Sequence, residues 1–84
     1  MMSALATGIG LNELKVREQG RIVHLDAEPK EAAKLIALGI LPGLQVTILQ
    51  RIPSYVFAIG HTQFAVDLKM AKQIRVERIV IGIR

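Results

Sequence analysis

The alternation of apolar and polar positions along the chain predicts short β-strands separated by turns. Residues 20–25 alternate after a glycine and predict a first strand, which follows an entry segment over residues 11–14. Residues 44–52 predict a second strand, with apolar and polar side chains on opposite faces, until Pro53 interrupts the pattern. A loop at Pro53-Ser54 then leads to the next part of the sheet.

Two further strands, over residues 55–59 and 62–66, are separated only by Gly60-His61. A two-residue connection of this kind predicts a β-hairpin, and glycine suits the first position of a type II′ turn. Tyr55 and Phe57 share one face of the first of these strands, and we expect that face to be the core.

The C-terminal part of the chain predicts a last strand that begins near Ile74. Ile74 and Val76 alternate with charged residues, whereas the isoleucines of residues 79–83 lie on the opposite parity. Both sets can face inward only if a bulge or break occurs near Arg78. Otherwise the end of the chain is an exposed apolar strip that could add to the edge of another sheet.

A helical periodicity lies between the first two strands. Pro29 suits the first turn of a helix and Gly39 suits the left-handed residue at its end, so we expect a helix of about ten residues. Its apolar residues, at positions 32, 35, 36 and 38, fall close to one face. Asp67 predicts an N-cap for a single helical turn over residues 68–71, just before the last strand.

These elements predict a mainly β fold. Five short strands, with a helix inserted after the first and a helical turn before the last, indicate a small, partly open antiparallel barrel of the SH3-like kind. A chain of 84 residues can bury one small core, so we expect a single domain over residues 1–84 with its core at about 11–78.

Composition narrows the classes of function. Cysteine is absent, which removes disulfides and thiolate sites and fits a reducing compartment, so we expect a cytoplasmic protein. The net charge of +4 would attract polyanions, but most lysines and arginines have acidic neighbours in the sequence. That arrangement favours a mixed-charge surface. A nucleic-acid-binding barrel remains an alternative, and it would use four basic residues: Arg21, Lys69, Lys72 and Arg75.

The chain has few side chains suited to catalysis, because it has only two serines and two histidines and no nucleophile-elbow motif. We therefore expect no enzyme, no cofactor and no small-molecule substrate. Fe(II) generally favours histidine together with carboxylate ligands. His24 with Asp26 and His61 with Asp67 are weak candidates on that ground, but no metal site is predicted from them.

The strongest motif is the end of the helix together with the turn that follows it. Leu38-Gly39 is followed by Pro42-Gly43, which suits the central positions of a type II turn. In order and spacing the chain resembles the FeoA family, the small cytosolic accessory proteins of bacterial ferrous iron transport. The other residues that carry the resemblance are Gly20, Ile22, Val46, Pro53, Ala71, Ile74 and Val76.

The resemblance implies an SH3-like barrel that acts as an accessory or regulator of FeoB, the membrane ferrous iron transporter with a cytosolic GTP-binding domain. It would bind either that domain or the membrane part of FeoB by protein–protein interaction. The residues expected to contact that partner are Lys34, Ile52, Pro53 and Tyr55. Lys34 replaces an arginine usual in the family, Val66-Asp67 replaces a usual Leu-Arg pair, and the loop after Pro53 is short. Two further expectations stay open: a stand-alone relative of the C-terminal domain of metal-dependent repressors, and a homo-oligomer formed through the C-terminal strand.

Overall fold

The computed structural model describes residues 8–80, which form one antiparallel sheet with short helices. A 3₁₀ turn, Leu11–Glu13, follows the first strand. The strands are β1 (Ile9–Gly10), β2 (Gln19–Leu25), β3 (Gln45–Gln50), β4 (Tyr55–Ile59), β5 (Thr62–Val66) and β6 (Ile74–Arg78); the helices are α1 (Pro29–Leu38) and α2 (Leu68–Gln73). The predicted mainly β fold, with a helix after the first predicted strand and a helix before the last, is confirmed.

The sheet has six strands in the order β1-β6-β2-β3-β4-β5, so β1 and β5 form its two edges. β1 is a strand that the sequence pattern did not predict. It has only two residues, Ile9 and Gly10, paired with Val76 and Arg75. A segment this short carries no alternation, so its pairing is decided by the neighbouring strand β6.

Within the described part of the chain, the bulge or break that the C-terminal pattern required near Arg78 is not found at that position, and the one irregularity in the pairing of β2 with β6 lies on β2. The register shifts between Ile22 and His24, on β2. Arg78 itself pairs with Gly20, and the N–H of Ile79 donates to the carbonyl of Gln19 over 3.0 Å. The ladder therefore continues past Arg78 without a break. The isoleucines at positions 81 and 83 lie outside the described residues.

Phe57 lies at the centre of the hydrophobic core. It is fully buried, and its ring stacks on Phe64 with centroids 5.4 Å apart and planes 26° apart. Every strand except the edge strands β1 and β5 contributes a fully buried side chain to this core. The other buried residues are Leu11, Leu14, Ile22, Leu25, Leu35, Ile40, Val46, Ile48, Val66, Ala71, Ile74 and Val76.

Helix α1 packs on the core along a narrower stripe than its apolar pattern predicts. Leu35 is buried and Ala32 packs against the core, but Ile36 and Leu38 are 47% and 62% exposed. The residue that completes the buried stripe is Ile40, just beyond the helix, whose N–H donates to the Leu35 carbonyl over 3.0 Å. Ile40, two residues beyond the end of α1, thus makes the core contact that Leu38 does not make.

The predicted helix stop and turn are confirmed. Gly39 has φ +105° and its N–H donates to the carbonyl of Ile36, which ends α1 in the left-handed conformation that glycine favours. Gly43 has φ +96°, and the N–H of Leu44 donates to the Leu41 carbonyl over 3.3 Å. Both features match a type II turn with glycine at its third position.

Asp67 caps α2 as predicted, although the helix runs for six residues rather than one turn. Its carboxylate Oδ1 accepts the N–H of Met70 over 2.8 Å. We expect Asp67→Ala to lower the free energy of unfolding by about 1 kcal/mol, because it removes the acceptor for a helix N–H. Urea denaturation measures the free energy of unfolding. Asp67→Asn, which keeps an acceptor oxygen, is the control. An equal loss of stability in both variants would argue against capping.

Candidate protein-binding surface

An apolar groove of about 570 Å³ lies beside the loop that joins β3 to β4, and we call it the Ile52 groove. It is lined by Val16, Leu49, Gln50, Arg51, Ile52 and Tyr55. Ile52 is 83% exposed, while Val16 and Leu49 are about half exposed. A cluster of apolar side chains in solvent is unusual on a small domain and marks a candidate contact surface.

The local structure of β3 explains why apolar groups reach the surface here. The register between β3 and β4 shifts between Ile48 and Gln50, so Leu49 is an extra residue in the ladder. A bulge of this kind bends the strand and redirects side chains. Ile48 stays fully buried, whereas Leu49 and Gln50 are both exposed.

Arg51 and Tyr55 form one end of the Ile52 groove. Nη2 of Arg51 donates to the carbonyl of Asn12 over 2.9 Å, which ties the β3–β4 loop to the 3₁₀ turn. The guanidinium carbon lies 6.0 Å from the centroid of the Tyr55 ring, at the limit of a cation–π contact. Tyr55 is half-buried and packs against the core, as its alternation predicts, and it also lines the groove.

The turn over residues 15–18 contributes Val16 to the wall of the groove. The N–H of Arg17 donates to the Ile48 carbonyl over 2.7 Å, and the N–H of Ile48 donates to the Glu18 carbonyl over 3.0 Å. These two bonds fasten the turn to β3 and set Val16 beside Leu49. They hold Arg17 at φ +76°, a left-handed conformation that is costly for a residue with a Cβ.

Glu18 joins this turn to Arg78 at the end of β6. Its Oε1 accepts the N–H of Lys15 over 2.9 Å, and its Oε2 accepts Nε of Arg78 over 2.8 Å. Nη2 of Arg78 also donates to the carbonyl of Glu13 over 3.1 Å. The hydrogen bond from Lys15, with the Arg78 guanidinium beside it, lowers the pKa of the Glu18 carboxyl.

A pH-dependent contribution to stability follows from the bonds that Glu18 accepts. A carboxyl whose pKa is lower in the folded than in the unfolded chain stabilises the fold at high pH, and that contribution is lost as the pH falls through the folded value. We expect the native chain to be slightly more stable than Glu18→Gln at neutral pH and the difference to close below the ordinary carboxyl value of 4.5. Urea denaturation at a series of pH values measures it; a difference independent of pH would contradict that contribution.

Lys34 lies apart from the Ile52 groove. It is exposed on α1 and lines a second depression, of about 350 Å³, between α1 and α2. That depression is also lined by Glu31, Leu35, Leu38, Asp67, Lys69, Met70 and Gln73. The structure therefore brings Ile52 and Tyr55 together, with the exposed Pro53 next to Ile52 in the chain, but it does not add Lys34 to them.

The two histidines are on separate elements. His24 is exposed on β2, and His61 is exposed in the turn between β4 and β5. Within residues 8–80, no three histidine, aspartate or glutamate side chains converge in a way that could hold a metal ion.

The basic residues of the nucleic-acid alternative are only partly available. Arg75 is half-buried and donates to two carbonyls, those of Lys72 and Gly8, over 3.2 and 3.0 Å. Arg21 and Lys69 are exposed on different elements, β2 and α2. The three aromatic residues of the chain, Tyr55, Phe57 and Phe64, are half-buried or buried, so none offers a fully exposed ring on which bases would stack.

Sequence reasoning missed four residues of the Ile52 groove: Val16, Leu49, Gln50 and Arg51. Val16 carries a weak signal, since it is a single apolar residue between Lys15 and Arg17. Leu49 stands on the opposite parity from the buried Ile48 in a predicted strand, which also indicated exposure. The bond that orients Arg51 joins residues 39 positions apart, so no local pattern could reveal it.

Comparison with known proteins gives one family. The family model described as FeoA domain matches residues 9–78. Among curated protein sequences none matches the chain. The fold is similar to that of a FeoA-like protein from Clostridium acetobutylicum, at a TM-score of 0.79 and 23% identity over 95% of this chain and 96% of that one.

Two other solved structures are also similar. Iron(II) transport protein A from Clostridium thermocellum has a TM-score of 0.77 and 27% identity over 84% of this chain and 46% of that chain. FeoA from Stenotrophomonas maltophilia, an SH3 domain protein complexed with zinc, has a TM-score of 0.69 and 25% identity over 83% of this chain and 90% of that one. The predicted SH3-like fold is confirmed. Neither α-helix within residues 8–80 has the length and apolar character needed to cross a bilayer.

Proposed function

The chain belongs to the FeoA domain family, and from this premise we propose that it is a non-enzymatic accessory protein of ferrous iron transport that acts by binding another protein. Two relatives support the link to iron. The Clostridium thermocellum structure is described as iron(II) transport protein A, and the Stenotrophomonas maltophilia structure is proposed to act as a bacterial ferrous iron transport activating factor.

The partner in this proposal is FeoB, the membrane transporter of ferrous iron, and the contact is with its cytosolic GTP-binding domain. This assignment rests on the family resemblance, and on the same ground we propose that the protein is cytoplasmic. The regulatory role rests on the same resemblance, and within residues 8–80 no three histidine, aspartate or glutamate side chains converge to argue for an iron carrier instead.

The observation that carries the proposal is the Ile52 groove. A side chain as apolar and as exposed as Ile52 gains most from burial against a partner. Beside it, Tyr55 has an apolar ring with a polar end, and Arg51 supplies a cation, the two residue types most enriched in binding hot spots together with tryptophan. We propose that Ile52, Pro53 and Tyr55 form the centre of the contact and that Arg51 pairs with an acidic group at its rim.

Lys34 belongs to a second, independent contact in this proposal. It lies on the depression between α1 and α2, so a partner must reach a different face of the molecule to meet it. The charge-reversal variant Lys34→Glu tests this second contact apart from the first. It weakens binding only if the partner covers both faces.

An amide-shift NMR titration tests the proposed function. The ¹⁵N-labelled chain is titrated with the cytosolic GTP-binding domain of the cognate ferrous transporter, with and without nucleotide and at moderate salt. We expect shifts at residues 49–55 and at Val16, and a second, separate group of shifts around Lys34. An absence of shifts at saturating partner would overturn binding to this domain, and shifts confined to Arg21, Lys69 and Lys72 would point to an electrostatic surface instead.

A further inference from the structure

β5 is an edge strand that offers its outer backbone groups to solvent. It pairs only with β4, through the two-residue turn Gly60-His61. In such a hairpin the flanking residues, Ile59 and Thr62, form a hydrogen-bonded pair, and the bonded positions then alternate along the strand. The N–H and C=O groups of Gln63 and Ala65 therefore point away from β4, toward the open edge.

The features that normally protect an edge strand are missing from β5. Natural edges carry lysine, proline, a bulge or an inward-pointing charge, or they are very short. β5 has five residues, none of them charged and none proline or glycine, and its register with β4 runs without a shift. Thr62, Gln63 and Ala65 are exposed. By contrast the other edge strand, β1, has only two residues.

We propose that two copies of this chain associate by antiparallel pairing of their β5 strands, with Gln63 of one copy opposite Ala65 of the other. The two-fold axis then passes between the two Phe64 residues. Both outward-facing residues of each strand find a partner in this register, and each pair exchanges two N–H···O bonds. The interface is isologous, which is the commonest way for a soluble protein to form a dimer.

The residues that flank β5 support the choice of a second copy as the occupant. In the proposed register His61, before the strand, comes opposite Asp67 of the second copy, after its strand, and the two-fold axis repeats this contact. Only Oδ1 of Asp67 is used within the described residues, in the bond to Met70, so Oδ2 is free to accept from the imidazole. A register shifted by two residues in either direction separates His61 from Asp67 of the second copy, so both residues lose this partner.

The expected dimer is weak. Pairing along one five-residue edge buries much less than the ~1,200 Å² typical of stable complexes. The chain should therefore be monomeric when dilute and associate progressively as its concentration rises. No residue of β5 lines the Ile52 groove. Ile52→Asp should therefore leave this association unchanged.

A charge-pair experiment tests the contact and its register. Sedimentation equilibrium of the full chain, from about 10 μM to about 1 mM, measures the dissociation constant. In Gln63→Lys/Ala65→Glu, opposite charges face each other twice, which should tighten the dimer about fivefold. In the matched Gln63→Lys/Ala65→Lys, like charges face each other twice, which should weaken it by a similar factor.

Backbone pairing is tested separately by Ala65→Pro. Proline is tolerated in an edge strand where the N–H faces outward, so the variant should fold but remain monomeric. Circular dichroism measures whether the Ala65→Pro variant folds. If it does not fold, the charge variants still provide the test.

Equal dissociation constants for the two charge variants would overturn the proposed register. A monomer at every concentration, or concentration-dependent amide shifts at residues 77–79 rather than 63–65, would overturn the proposal itself.

Discussion

Phe57→Ala is expected to lower the free energy of unfolding by about 3–5 kcal/mol, because truncating a fully buried phenylalanine removes its burial and leaves a cavity. Phe57 is paired with Ile48 on β3 and with Phe64 on β5, so the cavity opens between three strands. Small domains are stable by only about 5–15 kcal/mol, so a large part of the margin would be lost. Urea denaturation followed by circular dichroism measures the change.

A matched variant separates volume from aromatic stacking. Phe57→Leu keeps most of the apolar volume but removes the stacked contact with Phe64, so its cost should be closer to about 1–2 kcal/mol. Thr62→Ala, an exposed position on the neighbouring strand, should change stability by less than about 0.5 kcal/mol. A loss below about 1 kcal/mol in Phe57→Ala would show that the core closes around the cavity or that this ring is not its centre.

The second large effect concerns partner binding. Ile52→Asp should weaken binding of the cytosolic domain of the ferrous transporter by about 30-fold or more, which corresponds to the ~2 kcal/mol of a hot-spot residue. The substitution replaces an apolar group that would be buried by a charge that would lose its hydration. Because Ile52 is exposed in the free chain, the substitution should change the free energy of unfolding little. Isothermal titration calorimetry measures the affinity.

The matched control for this experiment is Val80→Asp. Val80 is 84% exposed, almost the same fraction as Ile52, and it is apolar and β-branched as well. Both variants therefore remove one exposed apolar group and add one negative charge, but only Ile52 lies in the groove. Tyr55→Ala should weaken binding in parallel with Ile52→Asp. Equal losses at positions 52 and 80 would indicate a general charge effect and would count against the groove.

The parts of the fold that sequence predicted are those decided by local chemistry. The end of α1, the turn after it and the cap on α2 depend on single residues, Gly39, Gly43 and Asp67, whose conformational or hydrogen-bonding properties act within a few positions. The β4–β5 hairpin is local in the same sense. Such features can be predicted from one sequence.

The errors arose where distant segments decide the outcome. β1 exists because β6 provides a ladder for two residues, and the bulge at Val23 on β2 lies in the ladder that β2 forms with β6. Similarly, Leu38 is exposed because Ile40 completes the buried stripe after the helix ends. Nothing in the residues around these positions encodes those long-range contacts.

The candidate surface shows the same division. Ile52 and Tyr55 were named from the sequence and do share a groove, but the walls that complete it come from the turn over residues 15–18 and the bulge in β3. Lys34 was named with them because of family resemblance alone. Lys34 lies on α1, beside the depression between α1 and α2, and not in the Ile52 groove.

The order of strands in the sheet also has a consequence for how the chain folds. β4 and β5 are joined by the two-residue turn Gly60-His61, so they can meet early, on the microsecond timescale of hairpins. The opposite edge closes only when Arg75 reaches Gly8, 67 positions away, and the loss of chain entropy grows with that separation. We expect the sheet to assemble from the hairpin toward β1, which makes β1 the last strand to form and the first to open.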